Sequence, residues 1–189
     1  ARETPSRRAI YICEPPSTEA VAERSCASEI IRAVARRAFR RPVTSGEIES
    51  LLTFFDAGRR DGQSFDSGVQ FALERILVDP DFLLRVYRDP VDAESGQSPY
   101  ELSDIELASR LSFFLWSSIP DERLLALAER GELSDPSTLE VEARRLLADP
   151  RATKTLVNDF AAQWLNLRRV GEVVVDPLQY PTYDETLLE

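Results

Sequence analysis

Histidine and methionine are both absent from the 189 residues, and the 23 basic residues include a single lysine, Lys154. The missing histidines exclude Ser-His-Asp and Cys-His catalysis, the common zinc sites and a histidine-ligated haem. The missing methionines remove the usual second axial ligand of a c-type haem. No cofactor is therefore expected in this chain, and any chemistry must run on Asp, Glu, Arg, Tyr, Ser or Thr. Without methionine the chain does not start at its own initiator, so a processed product or a segment of something longer is expected. Long apolar runs are absent as well. No window of about eighteen apolar residues exists to span a membrane, and "ARETPSRR" lacks the apolar centre of a signal peptide. The 7 glycines form no phosphate-binding loop. Positive charge is in deficit: a net charge of −10 argues against nucleic acid or an anionic membrane as a general partner, because the summed field repels phosphate.

Cysteine occurs twice, at Cys13 and Cys26. Redox-active pairs are usually spaced C-x-x-C, and a structural zinc site needs four Cys or His ligands, so neither chemistry fits. The intervening residues form a loop turning at Pro15-Pro16, between the β-like run Ala9-Ile10-Tyr11-Ile12 and a helix beginning near Ser17 or Ser25. The favoured reading is a disulfide that bolts this loop, worth roughly 3 kcal/mol on the chain-entropy account. The alternative is two buried thiols acting as small hydrophobes. A structural disulfide places the protein in an oxidising, extracytoplasmic compartment, periplasmic or secreted.

What the sequence has in abundance is helix signal, and with 43% apolar residues it can bury a sizeable core. Ala27, Ile30, Ile31, Val34, Ala35 and Ala38 recur at three- and four-residue spacing and predict a helix ending at Arg40-Arg41, before Pro42. Thr44 and Glu47 form a capping box ahead of Ile48, Leu51, Leu52 and Phe55. Ser64 caps a helix carrying Val69, Ala72, Leu73, Ile76 and Leu77, which should stop at Asp79, before Pro80. A second capping box, Ser103 to Glu106, opens a helix whose Leu107, Ala108, Leu111, Phe113, Phe114, Leu115 and Trp116 predict burial on most sides. Asp121 to Arg130 reads as a short helix ended by Gly131. Asp135-Pro136 and Asp149-Pro150 start two more, with Leu139, Ala143, Leu146 and Leu147, then Leu156, Val157, Phe160, Ala161, Trp164 and Leu165 directed inward.

The expected fold is all-α: an orthogonal bundle of about six to eight helices, with a short extended N-terminal segment and an extended C-terminal stretch. The breaker-rich 89–99 divides an N-terminal subdomain, 1–88, from a C-terminal one, 100–189, which is expected to be cut inside a helix begun at Asp184.

Few constellations carry chemistry. Arg36, Arg37, Arg40 and Arg41 cluster where cations complement a helix C-terminus, and they are also the one candidate dock for an anion or a partner's carboxylates. Asp79, Asp81, Asp89, Asp92 and Glu94 are numerous enough for calcium but lack the D-x-D-x-D-G pattern, so solvated loop acids are the favoured reading. No pair among the acids stands out for glycoside hydrolysis. Trp116 and Trp164, on apolar faces, read as aromatic core.

"SRRAIYIC", "ARRAFRRPVT", "FDSGVQFALERILVDPDFLLRV", "LASRLSFFLWSSIPD" and "FAAQWL", in this order, resemble the uncharacterised helical domains of large exported planctomycete-type proteins that also carry c-type cytochrome domains. The resemblance implies export, a Cys13 to Cys26 bridge and membership of a multidomain assembly. Haem c would then belong to a partner domain, since this chain has no C-x-x-C-H site. It supplies no reaction and no catalytic residues. The expected role is a non-catalytic interaction or scaffold module whose partners are other domains of the same polypeptide or complex, a c-type cytochrome among them. The alternatives are part of an extracytoplasmic enzyme, a haem-partnered oxidoreductase or polymer hydrolase completed by other domains, and an assembly subunit with an apolar footprint around Val173 to Val175.

Overall fold

The computed structural model describes residues 4–15, 17–84, 101–167, 169, 176, 178 and 179. The segment 89–99, the acids Asp89, Asp92 and Glu94, the patch Val173 to Val175 and the helix expected after Asp184 lie outside the described residues. Within them the chain is all-α and no strand forms.

The first element departs from expectation. Residues 9–12 are not a strand, because Ala9 and Ile10 close a helix, α1, Pro5–Ile10. Thr4 accepts the Arg7 amide and Pro5 occupies the first helical position, where its missing N–H costs nothing. Arg7 then donates to Asp66 at 2.8 Å and lies 3.9 Å from the Tyr11 ring centroid, which ties the segment to a helix far along the chain. Cys13 and Cys26 are joined by a disulfide with their Cα atoms 6.0 Å apart, fastening the strap after α1 to α2, Ala20–Phe39. Ala27, Ile30, Ile31, Ala35 and Ala38 on α2 are buried as the spacing predicts. The helix stops where Arg40 turns left-handed (φ 57°). That conformation costs a non-glycine residue about 1–2 kcal/mol. Here it aims the guanidinium at the carbonyls of Ala38, Asp81, Phe82 and Leu84, which offsets the strain and pins α5, Pro80–Leu83, to the end of α2.

The capping box of Thr44 and Glu47 opens α3, Ser45–Gly62, and Ser64 caps α4, Phe65–Leu77. The two pack as a tight antiparallel hairpin. A Cβ on Gly68 would lie 2.6 Å from Phe55 Cδ2, and one on Gly58 2.6 Å from the Ser67 carbonyl oxygen, so glycine is what lets these backbones approach. Leu77, expected inside, is exposed at the last residue of α4, beyond the reach of α2 and α3.

The second group of helices comprises α6, Asp104–Trp116; α7, Glu122–Glu129; α8, Pro136–Ala148; and a continuous rod made of α9, Pro150–Thr155, a π-helical segment Leu156–Ala161 and α10, Ala162–Trp164. Asp135 and Asp149 cap their helices as predicted, Asp121 caps α7 rather than opening it, and Gly131 takes the left-handed turn after α7 (φ 68°). The core here holds Ala108, Leu115, Trp116, Leu124, Leu133 and Leu146, and the Trp116 indole N–H donates to the Leu146 carbonyl at 2.9 Å. Arg151 covers the indole face at 3.6 Å.

Burial of α6 on most sides holds, with Phe114, 63% exposed, the one residue of the helix left in solvent. Two other expectations fail in this group. Leu147 is exposed, and Glu142, only 1% exposed, is buried on α8 together with Leu146. Val157, Phe160, Trp164 and Leu165 are exposed rather than inward. The π-helical segment Leu156–Ala161 and α10 bury no residue on any face, and among the described residues they pack substantially only on α9 and on each other, so the stripe has no helix to face.

Candidate functional site

Two surfaces stand out, and the first is an apolar ridge. Val157, Phe160 and Trp164 run down the rod and Leu165 and Leu167 follow its end, with exposures from 48% to 73%, and Phe160 stacks on Trp164 at a centroid separation of 5.9 Å. Ser117, just past α6, donates to Asp159 at 2.9 Å and so brings the α6 end, near Phe114, against the same rod. Lys154 is exposed one turn before Val157. Isolated exposed leucines are ordinary, but a run of large aromatics and aliphatics along one helical rod is the footprint of a docking face. Trp164 is most exposed and Trp116 is buried, so the sequence reading of both tryptophans as core holds for one of them.

The second surface contains two of the four predicted arginines. Arg36 is bidentate with Glu129, Nε to Oε1 at 2.7 Å and Nη2 to Oε2 at 2.9 Å, and its Nη1 donates to Glu122 at 2.8 Å. Those hydrogen bonds, the Glu129 pair first, raise its pKa above the ordinary arginine value despite partial burial. Arg37 donates to the carbonyls of Ala33 and Ala9, holding α1 against α2. Both line an open groove of about 490 Å³ with Ala9, Ile12, Glu29, Arg32 and Glu122. Arg40 and Arg41 do not join them. Arg40 is committed to the α5 carbonyls, and Arg41 pairs with Glu47 and Asp81. The Arg41 hydrogen bond, assisted by the Thr44 amide and hydroxyl against some burial, holds the Glu47 carboxyl down at about 2.

Asp79 and Asp81, from the acidic loop, each face a guanidinium, that of Arg75 at 2.9 Å and that of Arg41 respectively. Among the described residues no group of three or more acids or cysteines has the arrangement of a metal site. Sequence reasoning missed the buried acids. Glu23 is paired with Arg59 at 2.7 Å, and Glu142 accepts from Arg123 Nε at 2.8 Å and Arg145 Nε at 2.7 Å. An arginine one turn away at i+3 was the only sequence signal for Glu142, and exposed helix pairs give the same signal. A groove of about 520 Å³ between α7 and α8 carries Glu142 in its floor beside Arg123, Arg130 and Thr138.

Comparison with known families gives two adjacent matches. Residues 26–86 match the family model PSD5, a protein of unknown function (DUF1595), and residues 102–189 match PSD4, a protein of unknown function (DUF1592). The first match covers α2 to α5, and the second covers α6 through the ridge. No curated protein and no solved structure matches the chain.

Proposed function

We propose that this chain is a non-catalytic helical docking module of a larger exported protein, and that the ridge from Val157 to Leu167 is the face its partner covers. The observation that carries this reading is the exposure of Phe160 and Trp164, at 53% and 73%, stacked on each other at a centroid separation of 5.9 Å. Leaving them in water forfeits on the order of 25 cal/mol per Å² of apolar surface, which burial against a partner would recover. The disulfide supports export, because such bonds persist in oxidising compartments. The resemblance to helical domains of exported, cytochrome-bearing proteins supports a partner drawn from other domains of the same polypeptide or complex, a c-type cytochrome among them, with haem held by that partner.

Lys154 makes the proposal testable without a label. It is the one lysine of the chain and stands at the head of the ridge, so an amine-reactive cross-linker applied to native full-length material samples this face, apart from a chain terminus. The expected result is a cross-link from Lys154 to a lysine outside these 189 residues that disappears in Phe160→Asp/Trp164→Asp. Only dead-end modification of Lys154, with a monodisperse and partner-free protein, overturns the docking reading.

A further inference from the structure

We infer that Arg36 is an ionic latch that sets how the α1–α5 group sits on the α6–α10 group, and that ionic strength opens it. Among the described residues every substantial helix-to-helix packing falls within one group or the other: α3 on α4, α2 on α3 and α4, α6 on α7, α8 and α9. Apart from Leu125 of α7, which belongs to neither, the buried apolar residues divide the same way into two clusters, neither of which includes a described residue of the other group. Neither apolar cluster therefore runs from one group into the other.

Charge supplies what burial does not. Arg36, one turn before the end of α2, reaches both ends of α7, since Glu122 is that helix's first residue and Glu129 its last. Seven residues apart, the two acids lie on one face of α7 about two turns from each other, and the guanidinium sits between them with all three nitrogens engaged. The second bridge is weaker, with the Arg40 Cζ 6.0 Å from the Phe113 ring centroid, at the outer limit of a cation–π contact.

The two arms differ. Arg36 and Glu129 are each 22% exposed and doubly bonded, while Glu122 is 71% exposed and singly bonded, so the Glu122 arm gives way first. Exposed and half-exposed pairs of this kind each bias an equilibrium by roughly fivefold or less, so the open arrangement is a minor but accessible population. Screening acts on that population, because the Debye length falls from about 10 Å at 0.1 M salt to about 3 Å at 1 M. Release of Glu122 also removes the one wall of the groove over Ala9 and Ile12 that the α6–α10 group contributes.

Small-angle scattering of the 189-residue chain tests the latch, with circular dichroism confirming that each variant keeps its helices. At about 0.05 M salt the native chain is expected to show the shorter maximum dimension, lengthening at about 1 M as screening sets in. Arg36→Gln and Glu129→Gln should show the longer dimension at both salts, Glu122→Gln should fall between, and the charge swap Arg36→Glu/Glu129→Arg should return the shorter one. Glu129→Gln leaves the cations at the end of α2 untouched, so its effect separates the latch from a helix-end role for Arg36. Curves for Arg36→Gln and Glu129→Gln that superimpose on the native curve at both salts overturn the inference. This test does not depend on the ridge, and the latch stands or falls apart from the docking proposal.

Discussion

Glu142 offers a test in which a second mutation should restore stability lost to a first. Its carboxylate is 1% exposed and compensated by Arg123, itself 60% exposed, and by Arg145, 30% exposed and also bidentate with Asp121 at 2.7 and 3.1 Å. Glu142→Leu removes the buried charge, fills the space with an apolar group, lets Arg123 hydrate where it stands and leaves Arg145 with Asp121. Replacing a buried ion pair by packed apolar groups is often neutral, so the expected cost is below about 1 kcal/mol. Arg145→Leu leaves the carboxylate in place with one mostly solvated partner. An uncompensated buried charge costs about 3–5 kcal/mol, and the remaining Arg123 contact brings the expectation to about 2–3 kcal/mol. The double variant Glu142→Leu/Arg145→Leu no longer buries a charge and should be more stable than Arg145→Leu alone by about 1–2 kcal/mol. Urea unfolding followed by the fluorescence of Trp116, whose indole is bonded to the α8 carbonyl of Leu146, reads this core directly. A double variant less stable than Arg145→Leu would refute the assignment of the cost to the stranded carboxylate.

Two further perturbations concern the first helix group. Reducing the Cys13–Cys26 bond, or replacing both residues with serine, should cost about 3 kcal/mol and lower the melting temperature by several degrees, whereas a melt unaffected by reductant would show that the disulfide adds nothing to the other contacts of α1, those of Arg7, Ile10, Tyr11 and Arg37 among them. Glu47 titrates from an ordinary 4.5 down to about 2 because Arg41 and the Thr44 amide favour its charged form; its contribution is therefore complete above about pH 4.5 and lost as pH falls toward 2. With the side chain 35% exposed, solvent screening limits that contribution to about 1 kcal/mol, and Glu47→Gln should flatten the slope of stability against pH in this window by that amount.

Capping chemistry made much of the fold legible before any coordinates. Thr44 with Glu47, Ser103 with Glu106, Ser64, Asp135 and Asp149 all cap the helices they predict, because an oxygen two or three residues ahead of orphan amides is a local signal that tertiary packing seldom overrides. The misreading of 9–12 has the opposite origin. β-Branched and aromatic residues suggest a strand, but the Thr4 cap is local and the Arg7–Asp66 pair spans 59 positions, so the winning interaction is invisible to any window.

The same distinction explains why the candidate sites were only half legible. A helical apolar stripe says that a face will be buried without saying by what, and after Thr155 no described helix packs substantially on the stripe that "LVNDFA" begins. The arginines show a backbone effect of the same kind. At i, i+1, i+4 and i+5 the four guanidiniums would crowd one side of an unbroken helix and repel each other. The left-handed step at Arg40 instead sends Arg40 and Arg41 toward α5 and leaves Arg36 and Arg37 over the groove. Each charge then meets its own oxygens, so the cluster in the sequence is dispersed in space, and Arg36 keeps its reach to the paired carboxylates of α7. A contact of that kind, made between half-exposed charges, responds to the ions around it.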